Sequence, residues 1–394
     1  MNFAVILYIV ANIHAIGSEL MHKVRVGVLG AGRGLTFVRG YSLHPSSEVI
    51  ALCDKDRPRL ESAMKDMKIE GLKLYTSYEE MLRSDIDMVV VASDGPLHAT
   101  HSCMALEAGK HVQSEVPADY TMEGCLRLVE TVERTGLKYM MAENSQYLPY
   151  MSNLKEWITE GKFGEVVYAE AEYVHDVRDL YYRDDAGRYY SYQEAKKNPE
   201  AKRAWRSGIH PIQYITHSLG PILWLLDDRC ITVSCLSTGP HTSPEDGNPD
   251  VEVAILRTER GKVIKILCAH TIAHPGNSWY TLMGTKGSIE TPRGSAKNPV
   301  VYFEGEGERH KWRELEWDEF NANVPEEALK WGHGGSDWFL FDGFLKAILD
   351  DADPPIDVYR AADYTVPGIC AVRSALQGGS SVVVPDLRPD VRNK

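Results

Sequence analysis

The chain has 394 residues, of which 43% are apolar and 25% are charged, and its formal net charge is −13. This composition is typical of a soluble globular protein with two or three domains, and the acidic balance argues against nucleic acid or a membrane as a partner. Seven cysteines occur singly, without a CxxC pair, which predicts free thiols in a reducing compartment.

Residues 1–20 are interpreted as an N-terminal extension or a possible signal. The segment from Phe3 to Ile16 is mostly apolar, but it is too short to span a bilayer and has no Lys or Arg near its start. We favour an upstream extension, with translation from Met21, and a cytoplasmic protein. If the segment is a true signal, the protein is exported.

The stretch from Val24 to Gly34 predicts a buried strand, a sharp turn at Gly30 and Gly32, and the start of a helix. Backbone N–H groups at such a turn, with the positive end of the helix, bind the pyrophosphate of a dinucleotide. The Gly-x-Gly-x-x-Gly pattern is imperfect, because its third position is Leu35 and Gly34 lies one residue early. The strand–turn–helix context still favours dinucleotide binding over an ordinary turn with incidental glycines.

The next predicted strand ends at Asp54, roughly 20 residues after the glycine turn, where dinucleotide-binding domains carry an acidic residue. Its carboxylate is expected to bind the adenosine ribose hydroxyls and to repel a 2′-phosphate, so NAD is favoured over NADP. Lys55 and Arg57 lie next to it and partly offset that repulsion.

Strands and helices alternate up to about residue 145, which predicts an α/β fold with a doubly wound parallel sheet, a Rossmann domain over residues 21–145. Residues 146–394 are predicted to form an α+β domain with a largely antiparallel sheet, because the connections between strands are too short for crossover helices. This second domain is expected to bind substrate and to support a homo-oligomer. Within it, a helix from Ile209 to Leu226 is expected to be interrupted near Gly220 and Pro221.

The insert from Asp179 to Arg206 is rich in tyrosine and in charged residues. One interpretation is a lid whose aromatic faces stack on a sugar ring. The alternative is a surface or subunit-contact loop that its tyrosines anchor, and the sequence favours neither.

Short motifs in a fixed order resemble the glucose–fructose oxidoreductase / inositol dehydrogenase (Gfo/Idh/MocA) family. They are the glycine turn, the run from His98-x-x-His101 to Val112, Glu115-Val-Pro117, Lys162-Phe-Gly-Glu-Val166 and Leu282-Met-Gly-Thr-Lys-Gly287. The resemblance implies an NAD-dependent oxidoreductase. Two positions depart from the family, since Val116 replaces a lysine that touches substrate and nicotinamide, and Gln213 replaces an Asp four residues before His217.

Further motifs resemble the NAD-dependent α-N-acetylgalactosaminidase branch, whose members hold NAD tightly and cleave a glycoside through transient oxidation at the sugar C3. They are Glu143-Asn144, Tyr173-Val-His-Asp-Val-Arg178, Tyr214-Ile-Thr-His-Ser-Leu-Gly-Pro221 and Gly332-His-Gly-Gly335. This resemblance implies substrate-site roles for Tyr173, His175, Tyr214 and His217. The glycine turn and the tyrosine-rich insert depart from the branch, so the sugar itself is not carried over.

Oxidation of a secondary alcohol needs a group that takes the hydroxyl proton, and a histidine with a pKa of about 6.5 suits that role. We expect His217 to be the acid/base, with Tyr214 on the same helical face orienting the hydroxyl and His175 assisting. The alternative for each histidine is a structural role in the core. The substrate-binding candidates are Tyr173, Glu115 and His333, and the cofactor-binding candidates are Gly30, Gly32, Arg33, Gly34, Asp54, Ser93, His98, Glu115 and Asn144.

The sequence therefore predicts an NAD-dependent oxidoreductase that acts on a secondary hydroxyl of a sugar or glycoside by hydride transfer. The first alternative is a glycoside hydrolase or lyase that uses tightly held NAD for transient C3 oxidation and elimination. The second is a non-enzymatic NAD-linked sensor. No metal is expected, because the histidines form no compact ligand motif such as HExxH.

Overall fold

The computed structural model describes residues 23–67, 69, 71–148, 150–185, 187–245, 247–316 and 335–392. The N-terminal extension 1–20 and the candidate His333 lie outside the described residues. Within the described residues, no helix has the length and apolar character needed to cross a membrane.

Six parallel strands form the first sheet, in the spatial order β3-β2-β1-β4-β5-β6. The strands are β1 Val24–Leu29, β2 Ser47–Cys53, β3 Lys73–Tyr75, β4 Met88–Val91, β5 His111–Ser114 and β6 Tyr139–Met141. The helices between them are α1 Gly34–Leu43, α2 Arg57–Met67, α3 Tyr78–Leu82, α4 His98–Glu107 and α5 Met122–Thr135. The strand order reverses between β1 and β4, and doubly wound sheets bind ligands at the carboxyl ends of such strands.

The sequence explains why these elements form. All four residues of β4 are buried, as expected for a strand that helices cover on both faces. Helix α5 begins after Thr121, whose hydroxyl accepts a hydrogen bond from the Gly124 N–H at 3.0 Å, and it ends at Gly136, which has a φ of 67°. The predicted Rossmann domain fold is confirmed.

A helix and a long strand follow, α6 Met151–Thr159 and β7 Val166–Val174. The insert then forms its own three-stranded sheet from β8 Tyr182–Arg183, β9 Tyr189–Tyr190 and β10 Lys202–Arg203. A short helix, α7 Tyr192–Ala195, lies between β9 and β10 in the chain. The insert contacts the first domain through several side chains, among them Arg183 and Trp205. Arg183 pairs with Asp94 at 2.6 Å, and the backbone of Gly187 lies against the guanidinium group of Arg59.

The second sheet has nine strands in the order β17-β16-β15-β14-β7-β13-β12-β11-β18. After helix α8 Thr216–Leu226, its remaining strands are β11 Cys230–Ser237, β12 Val251–Thr258, β13 Val263–Ala269, β14 Asn277–Gly284, β15 Gly287–Glu290, β16 Val300–Phe303, β17 Arg313–Glu314 and β18 Val382–Val383. Neighbouring strands run antiparallel except for β7 and β13, which pair in parallel. The prediction of a largely antiparallel second sheet is confirmed.

The expected interruption of the helix near Pro221 is wrong, because α8 continues through this proline to Leu226. A proline has no N–H, so the carbonyl of His217, one turn earlier, loses its helical partner. The Tyr280 hydroxyl donates a hydrogen bond to that carbonyl instead. The prediction was also wrong about where the helix begins. Residues 211–214 form a separate 3₁₀ turn, and α8 starts at Thr216.

Helices α9 Ser336–Leu349, α10 Val358–Leu376 and α11 Pro389–Arg392 complete the described chain. Although they follow the second sheet, α9 and α10 contact the first domain. The ring of Phe341 in α9 lies against Gly40 in α1, and the hydroxyl of Thr365 in α10 accepts a hydrogen bond from the Ala118 N–H at 3.2 Å. The boundary at residues 145/146 and the homo-oligomer stay predictions.

Candidate functional site

A cavity of about 420 Å³ lies where the carboxyl ends of the first sheet meet the second domain. Many of the candidate residues line it, although they come from distant parts of the chain. They are Arg33, Ser93, His98, Glu115, Asn144, Tyr173, His175, Tyr214 and His217. The three glycines of the turn and Asp54 do not line this cavity.

The glycine turn has the shape that a dinucleotide phosphate requires. Gly30 has a φ of 107°, and a Cβ atom there would lie 2.3 Å from the Ala92 carbonyl oxygen. A Cβ atom on Gly32 would meet no atom within 4 Å, so space remains beside the N-terminus of α1. Gly34 packs closely on β1, with its Cβ position 2.8 Å from Val28 Cγ1. Gly34 thus provides the close helix–strand packing of the third motif glycine, one residue early.

Asp54 lies directly beside this turn. Its carboxylate accepts hydrogen bonds from the backbone N–H groups of Ala31 at 2.8 Å and Asp56 at 2.9 Å. The neighbouring cation is Arg59, whose Nη1 is 3.6 Å from the carboxylate, whereas Arg57 pairs with Glu61. These contacts fix the carboxylate at the position where an adenosine ribose binds in this kind of domain.

Asp54→Asn is expected to weaken NAD binding by about tenfold or more, because a neutral amide replaces a charge-assisted acceptor of the ribose hydroxyls. Discrimination against NADP should shrink as well, since the negative charge that repels a 2′-phosphate is lost. Titration of NADH and NADPH fluorescence measures both effects. Glu61→Gln, an exposed carboxylate on α2, is the control, and an unchanged NADH-to-NADPH affinity ratio in Asp54→Asn would contradict the assignment.

Two loops of the first domain are held together at the edge of the cavity. The His98 ring nitrogens lie 2.8 Å from the Pro117 carbonyl and 3.2 Å from the Ser93 carbonyl. Glu115 accepts a hydrogen bond from Arg33 Nε at 2.8 Å, and the following Val116–Pro117 peptide bond is cis. Glu115 therefore connects the start of helix α1 to the cavity. His98 contacts both the loop that contains Ser93 and the loop that contains Pro117, and so holds the two loops in position.

The main polar contact of the cavity joins the two domains. His217 Nδ1 lies 2.7 Å from Glu143 Oε1 and 3.2 Å from the Ser145 hydroxyl. Glu143 is fully buried, and the Ser145 backbone N–H also donates to it at 3.0 Å. A neutral histidine that donates from Nδ1 carries its lone pair on Nε2. Nε2 is therefore available to a group in the cavity.

The electrostatics of this pair favour an ionised carboxylate. Burial alone would raise the pKa of Glu143, but the positive charge of His217 in its protonated form and the hydrogen bond from its ring hold that pKa below its usual value. Glu143 was not among the residues predicted to act in the site, and His217 lacks the Asp that the family often carries four residues before it. The residue at that position, Gln213, bonds to the backbone of His210 and Tyr120. Glu143, from the end of β6, is the carboxylate that reaches the ring.

An aromatic cluster of the second domain surrounds His217. The Tyr173 ring centroid is 4.9 Å from that of His217 and 5.8 Å from that of Tyr214, and the Tyr173 hydroxyl is 2.8 Å from His175 Nδ1. Burial raises the pKa of Tyr214, against the opposing charge of Arg206, so its hydroxyl stays protonated and can donate a hydrogen bond. Burial and the charge of Arg206 lower the pKa of His175.

The insert reaches the cavity through Trp205 and Arg206, two lining residues that sequence analysis did not single out. The Trp205 ring packs on Gly95 and lies 5.8 Å from the Tyr120 ring. Five tyrosines suggested a lid, but none of them lines the cavity in the described structure. They are Tyr181, Tyr182, Tyr189, Tyr190 and Tyr192.

Behind the aromatic cluster, His270 is 1% exposed. Burial, reinforced by the charge of Arg206, lowers the pKa of His270 to about 3. An unfolded chain takes up this proton near pH 6.5, whereas the folded protein takes it up only near pH 3. Between these values the unfolded state binds more protons, so His270 makes the protein less stable as the pH falls.

Comparison of wild type with His270→Gln is expected to show this linkage. Between pH 7 and pH 5 the wild-type free energy of unfolding should fall by about 1–2 kcal/mol more than that of the variant, within the limit of ~1.4 kcal/mol per pH unit for one proton. Urea unfolding at both pH values measures the difference. His241→Gln, at an exposed position, should behave as wild type. If the free energy of unfolding falls equally for wild type and His270→Gln between pH 7 and pH 5, His270 is not the source of the pH dependence.

The described residues contain no group of three or more His, Cys, Asp or Glu side chains that could hold a metal ion. A glycine turn, an acidic residue after the second strand and a polar cavity at the strand ends together define a dinucleotide-dependent enzyme of two domains.

Comparison with protein families places the chain more closely. Residues 24–143 match the oxidoreductase family with an NAD-binding Rossmann fold, and residues 151–290 match the Gfo/Idh/MocA C-terminal domain. Residues 240–390 match the C-terminal domain of glycosyl hydrolase 109. The chain belongs to the Gfo/Idh/MocA family of NAD-binding oxidoreductases, and NAD is its cofactor.

The resemblance to the glycosyl hydrolase 109 branch is also confirmed. A glycosyl hydrolase family 109 protein from Streptomyces coelicolor is 28% identical, over 92% of this chain and 83% of its own length. One from Solibacter usitatus is 26% identical, over 92% of this chain and 88% of its own.

Solved structures share the fold across both domains. The WlbA dehydrogenase from Bordetella pertussis, in complex with NADH and UDP-GlcNAcA, is 20% identical with a TM-score of 0.73, and the match covers 92% of this chain and 98% of that one. A levoglucosan dehydrogenase, in complex with NADH and L-sorbose, is 19% identical with a TM-score of 0.76, over 93% and 100% of the two chains.

Proposed function

We propose that this enzyme oxidises a secondary hydroxyl of a sugar or glycoside, with His217 as the acid/base. The observation that carries the proposal is the 2.7 Å contact between His217 Nδ1 and the buried Glu143, which leaves Nε2 for the substrate hydroxyl. When bound, NAD supplies the hydride acceptor and donor. A sugar substrate agrees with the levoglucosan dehydrogenase and glycosyl hydrolase relatives.

The proposed proton path uses residues on one side of the cavity. His217 takes the proton of the reacting hydroxyl on Nε2, and the Glu143 carboxylate stabilises the imidazolium that forms. Tyr214 donates a hydrogen bond that orients the same hydroxyl. Glu115 and Tyr173 are assigned to contacts with the substrate, and Val116, which is buried, cannot supply the proton transfer that a lysine there would.

The cofactor contacts are proposals of the same kind. Gly30, Gly32 and Gly34 shape the phosphate site at the start of α1, and Asp54 binds the adenosine ribose. Along the rest of the crevice we assign contacts to side chains that line the cavity, namely Arg33, Ser93, His98, Glu115 and Asn144.

A second candidate function is glycoside cleavage without net oxidation. It needs a second acid/base group, because a proton is removed next to the oxidised carbon and another is given to the leaving oxygen. The cavity holds a second hydrogen-bonded histidine, His175, whose Nδ1 is 2.8 Å from the Tyr173 hydroxyl. The match of residues 240–390 to the glycosyl hydrolase 109 domain also favours this candidate.

One assay separates the two candidates. Purified protein with NAD is mixed with a panel of sugars and nitrophenyl glycosides, and NADH absorbance and nitrophenol release are followed together. NADH that rises in step with substrate consumption identifies a dehydrogenase, whereas nitrophenol release without net NADH identifies redox-assisted cleavage. If neither signal exceeds that of the His217→Asn variant across the panel, both proposals fail and an NAD-linked sensor is favoured.

A further inference from the structure

Arg206 places a positive charge inside the cavity. Its guanidinium carbon is 4.4 Å from the Trp205 ring centroid and 5.5 Å from the Tyr214 ring centroid. Arg206 lines the cavity together with His175 and His217. The rings of Trp205 and Tyr214 attract a cation but do not neutralise it, and the same holds for the hydrogen bond that Arg206 forms with the protonated Tyr214 side chain.

The carboxylates closest to this region already have cationic or histidine partners. Glu115 pairs with Arg33 at 2.8 Å, and Glu143 contacts His217 at 2.7 Å. Asp176 pairs with Arg178. In the described part of the chain, no carboxylate lies within ion-pair distance of Arg206. A half-buried cation without a counter-charge is unfavourable unless a ligand supplies the anion.

The position of Arg206 puts this charge on the substrate side of the cavity. It belongs to the insert of the second domain and lines the cavity together with His175 of that domain. Burial, with the charge of Arg206 as the second cause, lowers the pKa of His175 and of His270, which is also in that domain. The glycine turn, where the cofactor pyrophosphate binds, has its own cation in Arg33. A cofactor phosphate is therefore not the expected partner of Arg206.

We infer that the substrate carries an anionic group, a carboxylate or a phosphate ester, and that Arg206 binds it. Trp205 supports one face of the guanidinium plane. The guanidinium has five N–H donors, so donors remain beyond its hydrogen bond with Tyr214 for a contact with two oxygens of an anion. The same site serves the reacting hydroxyl, so this inference rests on the proposed function and narrows its substrate class to acidic or phosphorylated sugars.

The test measures binding apart from turnover. NAD-loaded wild-type enzyme is titrated by calorimetry with glucose, glucuronate and glucose 6-phosphate, and with the matching galactose set. We expect at least one anionic sugar to bind about tenfold or more tightly than its neutral partner, as for a charge-assisted hydrogen-bonded pair. The carboxylate and phosphate members show which anion is preferred. Neutral sugars that bind as tightly as both anionic forms overturn the inference.

Two variants connect the preference to Arg206. Arg206→Gln should abolish the anionic preference and keep NAD affinity, whereas Arg206→Lys, which keeps the charge, should retain part of it. Lys202→Gln, an exposed cation of the same insert that pairs with Asp185, should behave as wild type. The inference is overturned if Arg206→Gln loses NAD affinity, or if it weakens the binding of neutral and anionic sugars equally.

The inference and the proposed function can fail separately. Turnover of neutral sugars without an anionic preference leaves the proposed function intact and removes this inference. Tight, Arg206-dependent binding of anionic sugars without any turnover supports the binding site and removes the proposed reaction.

Discussion

His217→Asn should lower kcat/KM by about 10²- to 10⁴-fold, the usual contribution of a positioned acid/base group. Asparagine is suitable because its amide can still donate to Glu143, so the buried carboxylate keeps a partner, whereas it cannot accept a proton from a substrate hydroxyl. NAD affinity, measured by NADH fluorescence, should change little. Steady-state kinetics on the best substrate of the panel measure the effect.

The chain offers a matched control for this substitution. His210 Nδ1 contacts the buried Glu252 at 2.9 Å, a second histidine–glutamate pair that does not line the cavity. His210→Asn should leave kcat/KM within a few-fold of wild type. Equal losses in His217→Asn and His210→Asn would mean that the substitution acts through the fold, and His217 would no longer be the acid/base.

Glu143→Gln should lower kcat/KM by roughly 10²- to 10⁴-fold, although Glu143 does not line the cavity. The negative charge that stabilises the imidazolium is lost, and the amide N–H₂ can turn towards Nδ1 and force the ring proton onto Nε2. The ring would then present a donor to the hydroxyl instead of a base. Kinetics and a crystal structure of the variant measure the two effects.

The double variant gives the sharper test. If Glu143 acts only through His217, then Glu143→Gln combined with His217→Asn should be no slower than His217→Asn alone, because residues that act as a unit are not additive. Losses that multiply in the double variant would show that Glu143 has an independent role.

The sequence predicted the first domain well because its signals are local. Helix α5 has its capping threonine and its terminal glycine next to the helix in the sequence, so neighbouring residues set both of its ends. The contact between Tyr214 and His217 was expected from their spacing, and their ring centroids are 5.3 Å apart. The structural basis of this contact is not the expected one, however. Tyr214 lies in a 3₁₀ turn and His217 in the helix that follows it, and the two are not part of one continuous helix.

The partners of the site residues could not be predicted in the same way. Glu143 and His217 are 74 positions apart, and only the packing of α8 against the end of β6 brings them together. Glu143 did carry one signal, since it follows a strand of a parallel sheet. Arg206 carried none, because a cation at the end of a charged insert looks like an ordinary surface residue until its neighbours are known.

Pro221 has a consequence for how firmly the reactive ring is held. A helix carbonyl normally accepts a hydrogen bond from an N–H group in the next turn. Because Pro221 has no N–H, the His217 carbonyl accepts one from the Tyr280 hydroxyl of the second sheet instead. The residue that carries the acid/base ring is thus tied to β14 by its main chain and to Glu143 by its side chain. Such double anchoring lowers the reorganisation needed when a substrate arrives, so the helix-breaking residue of the sequence contributes to preorganisation.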